Sequence, residues 1–433
     1  MMLVPLRHFL LLLWVCSMIT PVFAWSNLSD KIGRGKSSPV VRWNKLPIRI
    51  AFSESLFKDN QNIKKGSDVE SALKRSFAIW ESATNVRFEF DRTDTSNVSP
   101  AGEFGDGVSL ITSVASAENM LFFGKHIMET PAATRVFYDS AGNITEADIV
   151  LNPLHQFTTD GTFGTYDLES VLIHEIGHLL GIDHTSAIGA VMHDVIPKNG
   201  LFGLSHSTAG GLTHVDLTLA RSLYGQMADD EDCCGSLDVM LSIPRRKNGP
   251  GGLVWIEEKN SGQVYALSES DNSKNFKLSG IPSGTYIVYW QGSFGVNTKT
   301  ADQIVGEVLI RSGKTTLLKK SLTLQEIKHE VQLVGLNGEL ASSPVKLTPG
   351  KTHTIYIGGL NLAADKVRIR AASRFLEVDD LTVNSLDYGD LISVMSVQIN
   401  VDETTPEGLF SIYVEDSRGN QSNLIAAIRI DNN

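Results

Sequence analysis

The rhythm of apolar residues divides the chain into two unlike halves. In the first half it switches between a period of two and a period near 3.6. Leu46 to Phe52 alternates as a half-buried strand does, and Val86 to Phe90 alternates again. Between them, Val69, Leu73, Phe77 and Trp80 fall on one face of a helix predicted over Val69 to Ala83. Val108 to Val114 and Ala147 to Asn152 are further strand candidates. A second helix is predicted over about Leu168 to Leu180, with Asp167 as N-cap and Gly181 as the stop. This mixture predicts an α+β unit, a twisted mixed sheet with helices, over residues 39–228.

Beyond Tyr224-Gly225 the helical period disappears. Asp229-Asp230-Glu231-Asp232 reads as an acidic linker, and short alternating runs broken by Gly, Pro, Asn and Ser follow to the end. That pattern predicts all-β, sandwich-like domains. Phe276 to Tyr289 reads strand, turn, strand and resembles the prealbumin-like and carboxypeptidase-regulatory-like β-domains. Glu330 to Ile430 resembles an immunoglobulin-like sandwich, with turns at Pro349-Gly350 and Pro406-Glu407-Gly408. The expected domains are 235–325 and 326–433. Few apolar residues cross the junction, so contact between the α+β unit and the β-domains is expected to be modest. A chain ending near Asp230 is expected to fold alone.

Residues 1–24 carry Arg7 and His8, the apolar run Phe9 to Val15, and small residues at Val22 and Ala24. They read as a secretory signal peptide, which implies a secreted, extracellular protein. Residues 25–38, rich in Ser, Gly and Lys, read as a flexible leader, and no later apolar run is long enough to cross a bilayer. Lys and Arg number 38 against 49 Asp and Glu, a net charge of −11 without a long basic run. This argues against nucleic acid or an anionic membrane as the main partner. Cys16 lies in the signal, leaving Cys233 and Cys234. Two cysteines are too few for a disulfide scaffold, and pairing between chains, a reduced pair or a vicinal disulfide all remain open.

The chemistry concentrates at the end of the second helix, in His174-Glu175-Ile176-Gly177-His178-Leu179-Leu180-Gly181-Ile182-Asp183-His184. His174 and His178, at i and i+4, project from one helix face and can share one Zn²⁺. Gly181 can adopt a left-handed conformation that swings His184 back as a third ligand. Three imidazoles leave one position open, the catalytic rather than the structural arrangement. Glu175 stands beside the first ligand, placed to act as general base. Chance yields such a pattern on the order of 10⁻⁵ to 10⁻⁴ times per chain of this composition.

The motif resembles that of the metzincin peptidases, and its surroundings resemble the matrixins, the matrix metalloproteinase family. Ala190-Val191-Met192 stands where matrixins carry their Met-turn, so Met192 is expected to support the site without ligating metal. Leu212 to Gly225 is similar to the closing helix with its Leu-Tyr-Gly ending. Val41-Arg42-Trp43 and Ser76 to Glu81 resemble the first strand and helix. The resemblance implies a zinc metalloendopeptidase acting on protein or peptide substrates. It also implies a substrate bound extended along an edge strand within 121–138. An alternative function is a cell-surface binding or adhesion protein whose β-domains engage a surface or matrix ligand.

The chain also departs from the family. Residues 25–38 contain no cysteine, so latency through a cysteine-capped zinc is not expected. His193 occupies a usual Tyr position. The segment Met192 to Leu212, which shapes the family's specificity pocket, is long and Gly/Ser-rich, so substrate preference does not carry over. The family's second, structural zinc site has no counterpart pattern; His126, His155, His206 and His214 are isolated and read as surface or hydrogen-bonded residues. Asp139, Asn143 and Asp148 are the candidates for a Ca²⁺ site.

Overall fold

A computed structural model describes residues 39–58, 60–100, 105–200, 211–225, 233–243, 251–270, 274–292, 299–386 and 392–431. The signal-like segment, the leader, the acidic linker and His206 lie outside the described residues.

The first unit contains β1 (Ile48–Ser53), α1 (Val69–Ala83), β2 (Phe88–Thr93), β3 (Ser109–Thr112), α2 (Ala117–Leu121), β4 (Ala132–Tyr138), β5 (Ile144–Leu151), β6 (Phe157–Thr158), β7 (Tyr166–Asp167), α3 (Leu168–Leu179) and α4 (His214–Tyr224). Five strands form one sheet in the order β2-β1-β3-β5-β4. The four strands from β2 to β5 run parallel, and β4 pairs antiparallel with β5 at the open end. Phe77, Trp80, Leu172 and Ile176, from α1 and α3, lie fully buried against the sheet. The Trp80 indole donates to Ile173 O at 2.9 Å and pins α1 across α3.

Helix α3 forms where the pattern predicts. Asp167 accepts the Ser170 N–H at 2.8 Å, satisfying one of the free donors of the first turn. Leu168, Val171, Leu172, Ile173, Ile176 and Leu179 are all buried, so it runs through the core. Its end is closed from outside. Trp43 Nε1 donates to Leu179 O (2.8 Å) and Tyr224 Oη to Leu180 O (2.5 Å), which gives the flanking tryptophan and the Leu-Tyr-Gly tyrosine a physical task.

The second unit contains β8 (Gly235–Ser242), β9 (Gly252–Glu258), β10 (Val264–Ser270), β11 (Asn275–Ile281), β12 (Gly284–Gln291), β13 (Gln303–Ile310) and β14 (Thr315–Ser321). Sheets β10-β9-β12-β13 and β11-β8-β14 enclose one core that includes Trp290, Tyr286 and Phe276. The third contains β15 (Glu330–Leu336), β16 (Val345–Leu347), β17 (Thr352–Leu360), β18 (Val367–Ala371), β19 (Leu376–Leu386), β20 (Ser393–Val401), β21 (Gly408–Asp416) and β22 (Gln421–Ile430). Its sheets, β15-β17-β20-β19 and β16-β22-β21-β18, share a core around Phe410, Ile355 and Val397. Cys233 and Cys234 are paired with each other.

The modest contact expected between units is not what the structure shows. A buried cluster joins all three, with Ala187, Ala190 and Val215 from the first, Trp255 and Val264 from the second, and Leu409 and Tyr413 from the third. Around it, the His214 ring stacks on Tyr265 at 4.0 Å and Thr218 Oγ1 donates to Tyr265 O at 3.0 Å. Glu257 of β9 is buried beneath β21, accepting from Tyr413 Oη (2.6 Å), Ser411 Oγ (2.8 Å) and Trp255 Nε1 (3.3 Å). The junction composition describes the linker. The docking faces lie outside it, in side chains such as Val215, Trp255, Leu409 and Tyr413 that in sequence look like ordinary core.

Candidate metal centre

His174 and His178 stand one turn apart on α3. Gly181, at φ +85°, then reverses the chain. A Cβ at Gly181 would overlap Val41 O, so both conformation and space require glycine there. The turn brings His184 back, and the three Nε2 atoms lie 3.0, 3.1 and 3.2 Å from one another. A tetrahedral Zn²⁺ with Zn–N of about 2.0–2.1 Å separates its nitrogens by about 3.3 Å. Among the described residues this trio is the one group of three or more His, Cys, Asp or Glu placed to hold a metal.

The hydrogen bonds behind the rings decide the tautomers. His174 Nδ1 faces Val191 O at 2.7 Å and His178 Nδ1 faces Ile182 O at 2.8 Å. A carbonyl only accepts, so each Nδ1 carries the proton and each Nε2 presents a lone pair. The lone pairs of His174 and His178 converge with His184 Nε2 on one point, an arrangement that a cation at that point would join. The donor set therefore fits zinc. Burial, with His178 nearby, pushes the His174 imidazole down to about 3, and burial drives His184 lower as well. Both are held in the neutral, ligating form.

Glu175 is buried, and burial pushes its carboxyl up while His178 and the Thr134 hydroxyl pull it back. Thr134 Oγ1 donates to Glu175 Oε2 at 2.5 Å. Thr134 lies on β4, the end strand of the sheet, inside the 121–138 interval expected for the substrate edge. Met192, the expected Met-turn residue, packs beneath α3. Met192 is fully buried, with Sδ where a Cβ on Gly177 would collide. Asp216 holds it, its carboxylate accepting from Val191 N and Met192 N at 3.0 Å each and from Thr213 N at 2.9 Å. Sequence reasoning missed Thr134 and Asp216. Asp216, three residues after Thr213, carries a capping-box signal that marks a helix start and says nothing of the Met-turn.

The remaining candidates stay apart from the trio. His193 faces Thr185 O and Ser342 O, and His126 lies 3.5 Å from Glu129. Asp139 accepts the N–H groups of Ala141 and Asn143 in its own turn, whereas Asp148 is buried and accepts from Ser99 N and Leu110 N.

Residues 42–225 match the Matrixin peptidase family. This region is a matrixin-like metzincin domain. Metalloendoproteinase 1-MMP of Arabidopsis thaliana is 31% identical over 156 residues, 35% of this chain and 38% of that protein. Metalloendoproteinase 1 of Glycine max is 26% identical over 167 residues, covering 36% and 45%. Matrix metalloproteinase-21 of Mus musculus is 24% identical over 196 residues, covering 44% and 28%. The chain thus spans less than half the length of these relatives. Among solved structures, the major pilin subunit of Bacillus cereus aligns over 45% of this chain and 69% of its own at 13% identity, with a TM-score of 0.17 that carries no argument. No described helix is long and apolar enough to cross a membrane.

Proposed function

We propose that the matrixin-like domain is a secreted zinc metalloendopeptidase that hydrolyses peptide bonds of extracellular proteins. The observation that carries the proposal is the convergence of three histidine Nε2 atoms beside the buried, hydrogen-bonded Glu175. His174, His178 and His184 would hold the ion, which when bound acidifies a water and draws charge from the scissile carbonyl. Glu175 would act as the base, accepting a proton from the attacking water and delivering it to the leaving amine. Its burial keeps the proton exchange away from bulk solvent, and Thr134 keeps the carboxylate aimed. An extended peptide adds to the open edge of β4 as a further strand, which places its backbone beside the threonine that orients the base. Met192 and Gly181 support the ligands without touching substrate. The signal-like residues 1–24 support export.

The full chain should bind one zinc per molecule by elemental analysis and lose peptidase activity in 1,10-phenanthroline. Glu175→Ala should keep its zinc and fold yet cleave peptides about 10²–10⁴-fold more slowly. Wild-type cleavage by Glu175→Ala, or activity indifferent to chelation, refutes the mechanism.

A further inference from the structure

The loop from Thr185 to His193 leaves one proposed ligand, His184, and returns to the carbonyl that orients another, since Val191 O accepts from His174 Nδ1. From within the first unit, Asp216 grips the loop at Val191 and Met192. The stretch 186–190 bonds inward within the loop itself, Ala190 N to Ala187 O at 3.0 Å. Its outward hydrogen bonds are to the β-sandwiches, and its alanines also pack on Val215 of the first unit. Ile188 N donates to Ile425 O of β22 at 3.1 Å, and Ser186 N donates to Glu269 Oε1 of β10 at 3.2 Å. Gly189 lies so close to the third unit that a Cβ would stand 2.5 Å from Leu409 Cδ2 and 2.6 Å from Ala426 O. His193 closes the set, with Nε2 3.3 Å from Ser342 O.

We propose that the two β-sandwiches are the outer brace of the metal centre: they clamp residues 186–190 and so hold Val191 O where it orients His174. The inference rests on the zinc reading of the histidine trio. The physical link is short. A metal-bound imidazole is oriented by the partner of its other nitrogen, and losing such a partner typically costs about 10–100-fold in metal affinity. Gly189 is two residues from Val191, so a wedge between Gly189 and β21–β22 is passed to that carbonyl through three consecutive backbone units. The β-domains thereby act on chemistry they do not touch. Gly189, Leu409 and Ser342 are positioning residues.

The test uses the full chain and equilibrium competition for Zn²⁺ against a chromophoric chelator, with kcat and KM on a short peptide beside it. Gly189→Ala drives the loop off the third unit, and Leu409→Ala removes the apolar contact without a wedge. Val397→Ala, in the core of the third unit, controls for general loss of stability. Gly189→Ala should weaken zinc binding about tenfold and lower kcat with KM little changed; Leu409→Ala should do so severalfold, and Val397→Ala not at all. Wild-type zinc affinity in both loop-contact variants overturns the proposal. Equal weakening in all three overturns it too, because the effect is then unfolding. If Gly189→Ala does not fold, Leu409→Ala against Val397→Ala decides. Wild-type protein that binds no zinc refutes the underlying site instead.

Discussion

Helix α3 and the loop Thr185–His193 share the proposed metal centre but are held in place in opposite ways. The helix places His174 and His178 by its own periodicity, and almost every side chain around them is buried. The loop has no periodicity. Its shape comes from Asp216 on one side and, on the other, from strands that follow it by 83 residues at Glu269 and by 237 at Ile425. Ligand identity is therefore a local property of this chain, whereas ligand orientation is a long-range one. Damage to the helix should abolish the metal centre, and damage to the loop's supports should degrade it by steps.

The largest such step is expected at Asp216. Its carboxylate satisfies three backbone donors at once, and leaving buried donors unpaired costs roughly 1–3 kcal/mol each. Asp216→Ala should lower stability by about 3 kcal/mol or more and weaken zinc binding about 10–100-fold, measured by denaturant unfolding and chelator competition. If zinc affinity survives while stability falls, orientation does not depend on the loop.

A smaller effect is expected at Thr134, which touches the base rather than a ligand. Thr134→Val should leave zinc content unchanged and reduce kcat about tenfold, the scale of one hydrogen bond to a charged group. Thr134→Ser should restore it. A change confined to KM would move Thr134 from aiming the base to binding substrate.

The smallest effect on the metal centre is expected from Glu257, on the far side of the brace. Burial pushes its carboxyl up to about 7, against the pull of Tyr413 and Ser411. The folded protein then holds this proton more tightly than the unfolded chain. The contribution is complete below the ordinary glutamate range, near 4.5, and is lost as pH rises toward 7. Asp302, also raised by burial, acts in the same direction. Glu257→Gln should flatten the fall in melting temperature between pH 5 and 7 without altering zinc affinity. An unchanged slope removes Glu257 from the linkage.

These contrasts also explain what could be read in advance. The α1 helix from Val69 to Ala83 and the His174/His178 pair follow helical spacing, so spacing alone points to them, whereas the approach of His184 depends on the reversal at Gly181. The edge strand was legible only as an interval, because part of 121–138 follows the short helix α2 and the chain becomes extended only at Ala132. Thr134, Asp216 and Gly189 carry no local signal of the roles they take in the fold. A threonine in a strand, a capping aspartate and a loop glycine gain their roles from partners 41, 24 and more than 200 residues away.

The open edge of β4 has a further cost in colloidal behaviour. Sheets commonly blunt their end strands with proline or several charges to stop copies from pairing edge to edge. β4, Ala-Ala-Thr-Arg-Val-Phe-Tyr, has no proline and one charge, and a strand proposed to accept a substrate backbone cannot be blocked. The same row of backbone donors and acceptors is then available to any extended segment, including one from a partly unfolded neighbour. Self-association should rise with concentration and recede when a peptide-like inhibitor fills the edge. Protein concentration thus becomes a variable in every activity measurement on this molecule.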